Sequence, residues 1–485
     1  MLRRNERNLD NIPAGTLGII AIDGCQAMGK EVDHFITTWR HEDGHKFMDD
    51  VVFSGYQRDS YLVNAHVPRF GSGEAKGVID ESVRGMDLYI LVDVCNYSLT
   101  YSMSGNTNHM SPDDHYQNLK RIIAAVGGKA KRINVIMPFL YESRQHKRSS
   151  RESLDCALAL QELTHMGVDN IITFDAHDPR VQNAIPLSGF ETVRPTYQFV
   201  KGLLDRYDDL IIDSDHMMAI SPDEGATERA VYLANVLNLD MGMFYKRRDY
   251  TRVVNGRNPI VAHEFLGSSV EGKDVIILDD MISSGDSILD VAKQLKSRNA
   301  KRIFAAATFG LFTNGLDKFD EAYESGLIDG VLTTNLIYQT PELLSRPYYI
   351  NCDMSKYVAL MIDTLNHDGS ISDILDPSER IQVCVENTRK LTVNYNSCVC
   401  SRMPRHSYCA PLQFCRRLYQ LGDGLPPLIP ACFSPPMEMG VISQLIYSFD
   451  YYATPCCPFL HATRILLIFF LLLHSVFPGT SILDR

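Results

Sequence analysis

The sequence predicts an α/β fold with two domains, each built on a mostly parallel sheet flanked by helices. From about residue 17 to residue 394, apolar runs rich in Val and Ile alternate with segments of helical periodicity. At 485 residues the chain is too long for one hydrophobic core and suits two domains with additional segments.

Eight apolar runs predict strands, and three segments with apolar residues at helical spacing predict helices. The strands are Leu88–Val92, Ile133–Met137, Ile171–Phe174, Met218–Ile220, Met243–Tyr245, Val275–Leu278, Ile303–Ala307 and Gly330–Thr333. The helices are Leu154–Met166, Thr227–Leu237 and Ser287–Ser297. Residues 96–114 are expected to form a surface loop, and residues 246–266 an open loop that covers an active site.

This order divides the chain into five parts. Residues 1–16 form an N-terminal extension, 17–190 the first domain and 191–345 the second. Residues 346–394 form a helical segment expected to pack back on the first domain, and residues 395–485 form a tail.

The tail has a different composition from the rest. From Asn396 onward there is no lysine, but seven of the 12 cysteines and ten of the 22 prolines. Its longest apolar run, Ile465–Leu473, is shorter than the roughly 18–20 residues that span a bilayer. We expect no folded domain here; a short membrane-associating tail is the alternative.

Charge and cysteine usage exclude several classes of protein. A net charge of −12 argues against a nucleic-acid-binding surface, and no apolar signal segment follows the charged N-terminus. The cysteines before the tail have no metal-binding spacing and indicate reduced thiols in the cytoplasm, with membrane association not expected.

The segment after the strand Val275–Leu278 predicts a site for a phosphorylated sugar. Two acids, Asp279 and Asp280, can accept hydrogen bonds from sugar hydroxyls. A turn of small residues and a helix N-terminus then offer hydroxyls and backbone N–H groups to a phosphate. The turn consists of Ser283, Ser284, Gly285, Asp286 and Ser287. An ordinary βα turn with capping serines is the alternative.

This segment resembles the phosphoribosyl-diphosphate-binding loop of type I phosphoribosyltransferases and of ribose-phosphate diphosphokinases. Two positions depart from the family pattern: Ser283 stands where an acid is usual, and Asp286 where glycine is usual.

A basic triplet, Lys246-Arg247-Arg248, follows the strand Met243–Tyr245. In extended chain Lys246 and Arg248 share a face, and two such cations suit a transferring phosphoryl group. A solvated basic cluster is the alternative. The resemblance to diphosphokinases, which carry the same triplet, makes Lys246 and Arg248 the candidate catalytic cations.

Two further motifs resemble the metal-binding segments of the diphosphokinases. Ser221-Pro222-Asp223, followed by Arg229-Ala230, implies Asp223 as a Mg²⁺ ligand. Asp175-Ala176-His177 implies that His177 contacts Mg²⁺ bound to ATP. A turn aspartate and a structural histidine are the respective alternatives.

The ATP-binding segments of that family have counterparts in the first domain. Arg144 and Gln145 match its phosphate-binding motif, although His146 replaces the usual Asp. Phe70 corresponds to a residue that stacks on adenine and Glu74 to one that accepts its amino group, although Ser72 replaces an acid. A core position is the alternative for Phe70.

Five motifs therefore occur in the order found in ribose-phosphate diphosphokinases, also called phosphoribosyl pyrophosphate synthetases. The resemblance implies two type I phosphoribosyltransferase-like domains, the substrates ATP and ribose 5-phosphate, and a dimer-based homo-oligomer that can reach a hexamer. A phosphoribosyltransferase and a non-catalytic regulatory homologue are the alternatives.

Overall fold

The computed structural model describes residues 12–43, 55–248 and 260–386, and for residues 246–248 and 260–263 it describes the backbone alone. In this part of the chain no helix is both long and apolar enough to cross a membrane. The cysteines that it contains are all free thiols.

The first sheet has five strands, all parallel, in the order β1-β4-β7-β8-β9. The strands interleave with helices as the alternating pattern requires. In chain order the elements are β1 Thr16–Ala21, α1 Gln26–Asp43, β2 Ala65–His66, β3 Val78–Ile79, β4 Met86–Leu91, β5 Thr100–Met103, β6 Asn106–His109, α2 Pro112–Val126, β7 Arg132–Ile136, α3 Asp155–His165, β8 Asn170–Phe174 and β9 Gly189–Val193.

The second sheet has seven strands in the order β12-β11-β10-β13-β14-β15-β16. All neighbours are parallel except β11 and β12. Its elements are α4 Thr196–Arg206, β10 Met217–Ser221, α5 Thr227–Leu237, β11 Asp240–Arg248, β12 Ile260–Leu266, β13 Asp274–Ile282, α6 Asp286–Lys296, β14 Ile303–Gly310, α7 Asp317–Glu324, β15 Gly330–Thr334, α8 Pro341–Leu344 and β16 Tyr349–Cys352, and α9 Ser355–Asn366 and α10 Ser372–Leu375 follow.

The fold class is confirmed, and each of the eight predicted strands is present. Buried apolar runs identify the central strands because both faces of a parallel sheet are covered by helices. In β14 every residue is buried, as is every residue of β4.

Helix α9 follows the second sheet but packs against α1 of the first. Arg40 of α1 is fully buried and donates hydrogen bonds to Asp363 at 2.9 Å and Asn366 at 2.7 Å. Its guanidinium also lies over the rings of Tyr56 and Tyr61, 4.6 and 4.9 Å from their centroids. This buried ionic contact ties the end of the described chain to its beginning.

The prediction of an open loop over residues 246–266 is wrong for the first three and the last seven of these residues, which lie in strands. Residues 246–248 continue β11, and β12 pairs with it antiparallel as an edge strand. Ile260, Val261 and Phe265 have high β propensity, and the Phe265 ring packs 5.2 Å from that of Phe244. Residues 249–259 lie outside the described part of the chain.

The prediction of a surface loop over residues 96–114 is wrong in part, because the exposed hairpin β5–β6 lies within it. Its two turn residues, Ser104 and Gly105, both have positive φ, at 50° and 81°. Two such residues form the turn type that matches the twist of a two-residue hairpin, so the Ser-Gly pair specifies this hairpin.

Candidate active site

Four ionisable side chains from both halves of the chain meet at the carboxyl ends of β8 and β13. His177 Nδ1 lies 2.6 Å from Asp280 Oδ2. Arg229, at the start of α5, donates from Nε to Asp175 Oδ1 at 2.7 Å, and its Nη2 lies 3.9 Å from Asp280 Oδ2. We call these four residues the junction; it joins a strand end of the first sheet to one of the second.

The charges of the junction set the protonation of its acids. Burial alone would raise the pKa of Asp280, but the hydrogen bond to His177 and the charge of Arg229 outweigh it and lower that pKa. Burial, and then the charge of Asp280, raise the pKa of neighbouring Asp279 well above its usual range. The two adjacent carboxyls of the acidic pair therefore have pKa values that are shifted in opposite directions.

Asp175 is held in a strained conformation at the junction. Its φ is 41°, a region that residues with a side chain rarely adopt. Its Oδ2 accepts a hydrogen bond from Thr308 at 2.7 Å, and burial raises its pKa despite the charge of Arg229. Strain of this kind, fixed by contacts to a second sheet, is typical of functional sites.

The sugar-phosphate turn links β13 to α6. Gly285 precedes the helix with φ 83°, and a Cβ at this position would lie 2.4 Å from the Phe319 ring. Both the conformation and the close ring require glycine. The five turn residues follow directly after the end of β13, the strand that carries Asp279 and Asp280.

The charge of Asp286 is compensated by a residue that the sequence did not reveal. Lys318 of α7 donates to Asp286 Oδ1 at 2.5 Å, and Ser284 donates to Oδ2 at 2.9 Å. The hydrogen bond from Lys318, followed by that from Ser284, lowers the pKa of Asp286. The carboxylate therefore stays ionised, and it is exposed on the turn itself.

Asp223 begins the turn into α5. Its Oδ1 accepts hydrogen bonds from the N–H groups of Gly225 at 3.0 Å and Ala226 at 3.3 Å, as a turn aspartate does. Its charge also contributes, after burial and the charge of Asp280, to the raised pKa of Asp279. Within the described residues no three His, Cys, Asp or Glu side chains form a metal-binding group.

Residues 138–146 approach the junction from the first half. Arg144 is exposed, and Gln145 donates to the carbonyl of Ser153 at 2.8 Å. The rings of His146 and His177 lie 5.3 Å apart. This segment therefore places His146 beside His177.

The candidate adenine residues lie in a different environment. The Phe70 ring is 53% exposed, which argues against a core role. Glu74 accepts a hydrogen bond from Ser72 at 2.9 Å, and Ser104 of the hairpin donates its N–H to the carbonyl of Gly71. Neighbouring Arg69 stacks under Tyr101, beside a cavity of about 280 Å³ between the hairpin and α2.

The basic triplet lies inside β11, not after it. Lys246 lies opposite His263 of β12 in the antiparallel pairing, and the register shifts between Arg247 and Arg248. The side chains of Lys246 and Arg248 lie outside what the structure describes, so their shared face stays a prediction.

The sequence did not indicate that Arg229 lies at the junction. It appears there only as part of a helix motif, but it is the cation that contacts both halves. A basic residue shortly after an acidic turn was the available signal. The sequence contains no local signal for Lys318, because its partner Asp286 lies 32 positions earlier in another element.

Comparison with known proteins gives consistent results for both halves. Residues 19–167 match the family model described as the N-terminal domain of ribose phosphate pyrophosphokinase, and residues 194–331 match the phosphoribosyl transferase domain.

Curated relatives span most of the described chain. Ribose-phosphate pyrophosphokinase from Shewanella oneidensis is 30% identical over 315 residues, covering 64% of this chain and 90% of the relative. The one from Mycoplasma genitalium is 31% identical over 272 residues, covering 56% and 74%. The crystal structure of phosphoribosylpyrophosphate synthetase from Mycobacterium smegmatis shares the fold, with a TM-score of 0.57 and 22% identity over 73% of this chain and 100% of that one.

Proposed function

Because the chain belongs to the ribose-phosphate pyrophosphokinase family, we propose that it transfers the β,γ-diphosphoryl group of ATP to the C1 hydroxyl of ribose 5-phosphate. The products are 5-phosphoribosyl 1-diphosphate and AMP. The observation that carries the proposal is the junction, where His177 of the ATP-side half contacts Asp280 of the sugar-side half at 2.6 Å. A reaction between two substrates needs a contact of this kind between their binding sites.

The sugar binds at the carboxyl end of β13. Asp279 and Asp280 accept hydrogen bonds from ribose hydroxyls, while Ser283, Ser284, Gly285, Asp286 and Ser287 surround the 5-phosphate with hydroxyls and N–H groups. The Lys318 ammonium supports this assignment, because it offsets the charge that Asp286 adds beside an anionic ligand.

The nucleotide binds on the first half. Arg144 and Gln145 hold its phosphates, Phe70 stacks on the adenine, and Glu74 accepts its amino group. The exposure of Arg144 and Phe70 supports these roles, since both side chains are accessible to a ligand.

Mg²⁺ fits the acids near the junction. Burial and the charges of Asp280 and Asp223 oppose the ionisation of Asp279, and a divalent cation would relieve that repulsion. His177 and Asp223 would hold the ion; few protein ligands suffice for Mg²⁺, since substrate phosphates supply the rest. When bound, it neutralises phosphate charge.

Lys246 and Arg248 stabilise the negative charge that develops on the transferring group. The sugar hydroxyl attacks in line, and no covalent enzyme intermediate forms. We further propose a dimer-based homo-oligomer in the cytoplasm, which light scattering and fractionation would test.

The test of activity is AMP formation from ATP, Mg²⁺ and ribose 5-phosphate. We expect AMP only when the sugar is present, and a loss of at least 100-fold in Lys246→Ala. Lys201→Ala, which removes an exposed lysine on α4, serves as the matched control. If the folded protein forms no sugar-dependent AMP, the alternative function, a non-catalytic regulatory homologue, is favoured. The departures from the family pattern at Ser72, His146, Ser283 and Asp286 are the sequence features that support this alternative.

A further inference from the structure

Helix α2 begins with two adjacent acids, and each of them holds a different segment of the first half. Asp114 Oδ1 accepts a hydrogen bond from Arg69 Nη2 at 3.0 Å, and Asp113 Oδ1 accepts one from the Tyr141 hydroxyl at 2.6 Å. Arg69 belongs to the segment that the proposed function assigns to the adenine, and Tyr141 to the segment that it assigns to the phosphates. One helix turn therefore contacts both nucleotide-binding segments.

Arg69 fixes the adenine segment to the helix. The segment is a tight turn in which the Phe70 N–H donates to the Glu74 carbonyl at 2.7 Å and the Gly73 N–H donates to the Phe70 carbonyl at 2.9 Å. Arg69 Nη1 donates to the Gly73 carbonyl at 3.0 Å, while its Nη2 donates to Asp114. A single planar guanidinium thus binds the turn and the helix start together. Its side chain is 11% exposed, so water competes little for these hydrogen bonds.

Tyr141 fixes the phosphate segment to the same helix through two contacts. Its ring centroid lies 4.3 Å from that of Tyr116, with only 3° between the planes, and its hydroxyl donates to Asp113. Tyr116 and Asp113 are three positions apart, so both lie on one face of α2. Tyr116 is buried and donates in turn to the carbonyl of Ala159 in α3 at 2.9 Å. Tyr141 therefore packs against a ring that is itself held in place.

The position of Tyr141 is passed on to the residues that follow it. Residues 140–145 form two overlapping turns, each closed by a backbone hydrogen bond, of 3.1 and 2.9 Å. Tyr141 lies in the first turn and Arg144 in the second. Because the turns share two residues, a shift of Tyr141 would also shift Arg144.

We propose that Asp113, Asp114, Arg69 and Tyr141 are positioning residues for the nucleotide. Through Arg69 the first turn of α2 orients the segment that selects the base, and through Tyr141 it orients the segment that holds the phosphates. This inference rests on the proposed function for which segment meets the base and which meets the phosphates. It goes further in that the two contacts have separable effects, one on the choice of base and one on the affinity for any nucleoside triphosphate.

The experiment measures the dissociation constants of ATP and GTP by calorimetry, with Mg²⁺ and without ribose 5-phosphate, so that no transfer takes place. GTP has a carbonyl where adenine has the amino group that Glu74 accepts, so we expect the wild-type chain to prefer ATP by about tenfold or more. Tyr141→Phe, which keeps the ring stacking, should weaken both nucleotides by about five- to tenfold and leave the preference within about twofold. Arg69→Met should instead reduce the preference for ATP by about fivefold or more.

Two variants in the second half serve as matched controls. Tyr348→Phe also removes a hydrogen bond from a tyrosine to an aspartate, Asp320, at 2.7 Å. Arg206→Met removes an arginine of α4 whose guanidinium donates to the carbonyl of Pro347 at 2.9 Å. Neither control should change the dissociation constant of ATP or of GTP by more than about twofold.

The separable effects are what a merely structural role of α2 would not produce. Equal changes of the preference in Tyr141→Phe and Arg69→Met, unchanged constants in both folded variants, or a wild-type chain without preference would overturn the proposal. If Arg69→Met does not fold, Asp114→Asn removes the charge but can still accept a hydrogen bond, and it should lower the preference in the same direction.

Failure of this inference can be told apart from failure of the proposed function. A wild-type chain that binds no ATP would refute both. If the nucleotides bind as expected but no sugar-dependent AMP forms, the proposed reaction is refuted and the positioning roles stand. If AMP forms but the two variants do not differ in their preference, the reaction stands and the positioning roles are refuted.

Discussion

Arg229 is the residue on which the junction depends. It is the cation beside two buried carboxylates, Asp175 and Asp280, and its own side chain is only 12% exposed. We expect Arg229→Met to lower the free energy of unfolding by about 3–5 kcal/mol, because it removes the guanidinium that compensates two buried carboxylates. Urea unfolding would measure the loss, and Arg84→Met, at an exposed arginine, should cost less than about 0.5 kcal/mol. A loss no larger than that of the control would show that the junction is not held by Arg229.

Lys318 and Asp286 form a pair whose effect depends on what binds beside it. We expect Lys318→Ala to raise the KM for ribose 5-phosphate several-fold at low salt and to leave kcat nearly unchanged, since Asp286 then repels the 5-phosphate. Because both side chains are about half exposed, the effect should shrink as salt screens it. Steady-state kinetics at two ionic strengths would check this.

The double variant Asp286→Gly, Lys318→Ala provides the control. It removes both charges and should return the KM close to the wild-type value. A KM that stays high in the double variant would mean that Lys318 contacts the substrate directly.

The residues of the site differ in how far the sequence could predict them. Asp279, Asp280 and His177 follow apolar runs, so their place at strand ends was predictable from pattern alone. The pairing of Lys318 with Asp286 and of Arg229 with Asp175 depends on packing between distant elements, which no local pattern encodes.

Among the elements, α2 has the most complete start signal. Ser111 caps the helix, its hydroxyl accepts the Asp114 N–H, and the Asp114 side chain accepts the Ser111 N–H. Asp114 also binds Arg69 at 3.0 Å, which connects the helix start to the segment carrying Phe70. The cap therefore stabilises both the helix and the candidate adenine segment.

Removing this cap should have a moderate effect. We expect Ser111→Ala to lower the free energy of unfolding by about 1 kcal/mol, whereas Ser111→Asn, which can also cap a helix, should change it by a few tenths. Chemical denaturation of the three proteins would measure this. Equal losses of unfolding free energy in both variants would show that the Ser111 hydroxyl does not stabilise the start of α2.

The central strands were predictable because their burial leaves long apolar runs. The edge strand β12 was not, since it pairs on one side only and its sequence alternates less clearly. The hairpin β5–β6 was missed for a related reason: its strands are mostly exposed, and only the Ser-Gly turn indicates it.

At the scale of the whole molecule, Asp93 links the two halves through a buried carboxylate. It accepts the N–H groups of Cys95 at 2.8 Å and of Tyr338, in the second half, at 2.7 Å. Burial raises the pKa of Asp93 to about 7. The folded chain therefore binds a proton at pH values where the unfolded chain has already lost it.

This makes stability depend on pH with a definite sign. The contribution of Asp93 is complete at low pH and is lost as pH rises toward about 7, at up to about 1.4 kcal/mol per pH unit. We expect Asp93→Asn to flatten the stability curve between about pH 5 and pH 7. Parallel slopes for the two proteins in denaturant titrations would contradict this assignment.

The tail offers a second test at this scale. Residues 395–485 lie outside the described part of the chain, and the matched family segments end at residue 331. We expect a chain ending at residue 394 to keep its unfolding free energy and its rate of AMP formation. Loss of either would assign the tail a role in the fold or the reaction.

The contact between Arg40 and Asp363 has a consequence for the order of events during synthesis. The two residues are separated by 323 positions, so Arg40 leaves the ribosome long before its partner. At about 5–20 residues per second, the interval is roughly 16–65 s. During that time Arg40, which is buried in the folded protein, lacks the Asp363 carboxylate with which it pairs. The first domain can therefore form its sheet early, but it completes its interior only when nearly all the described chain has been translated.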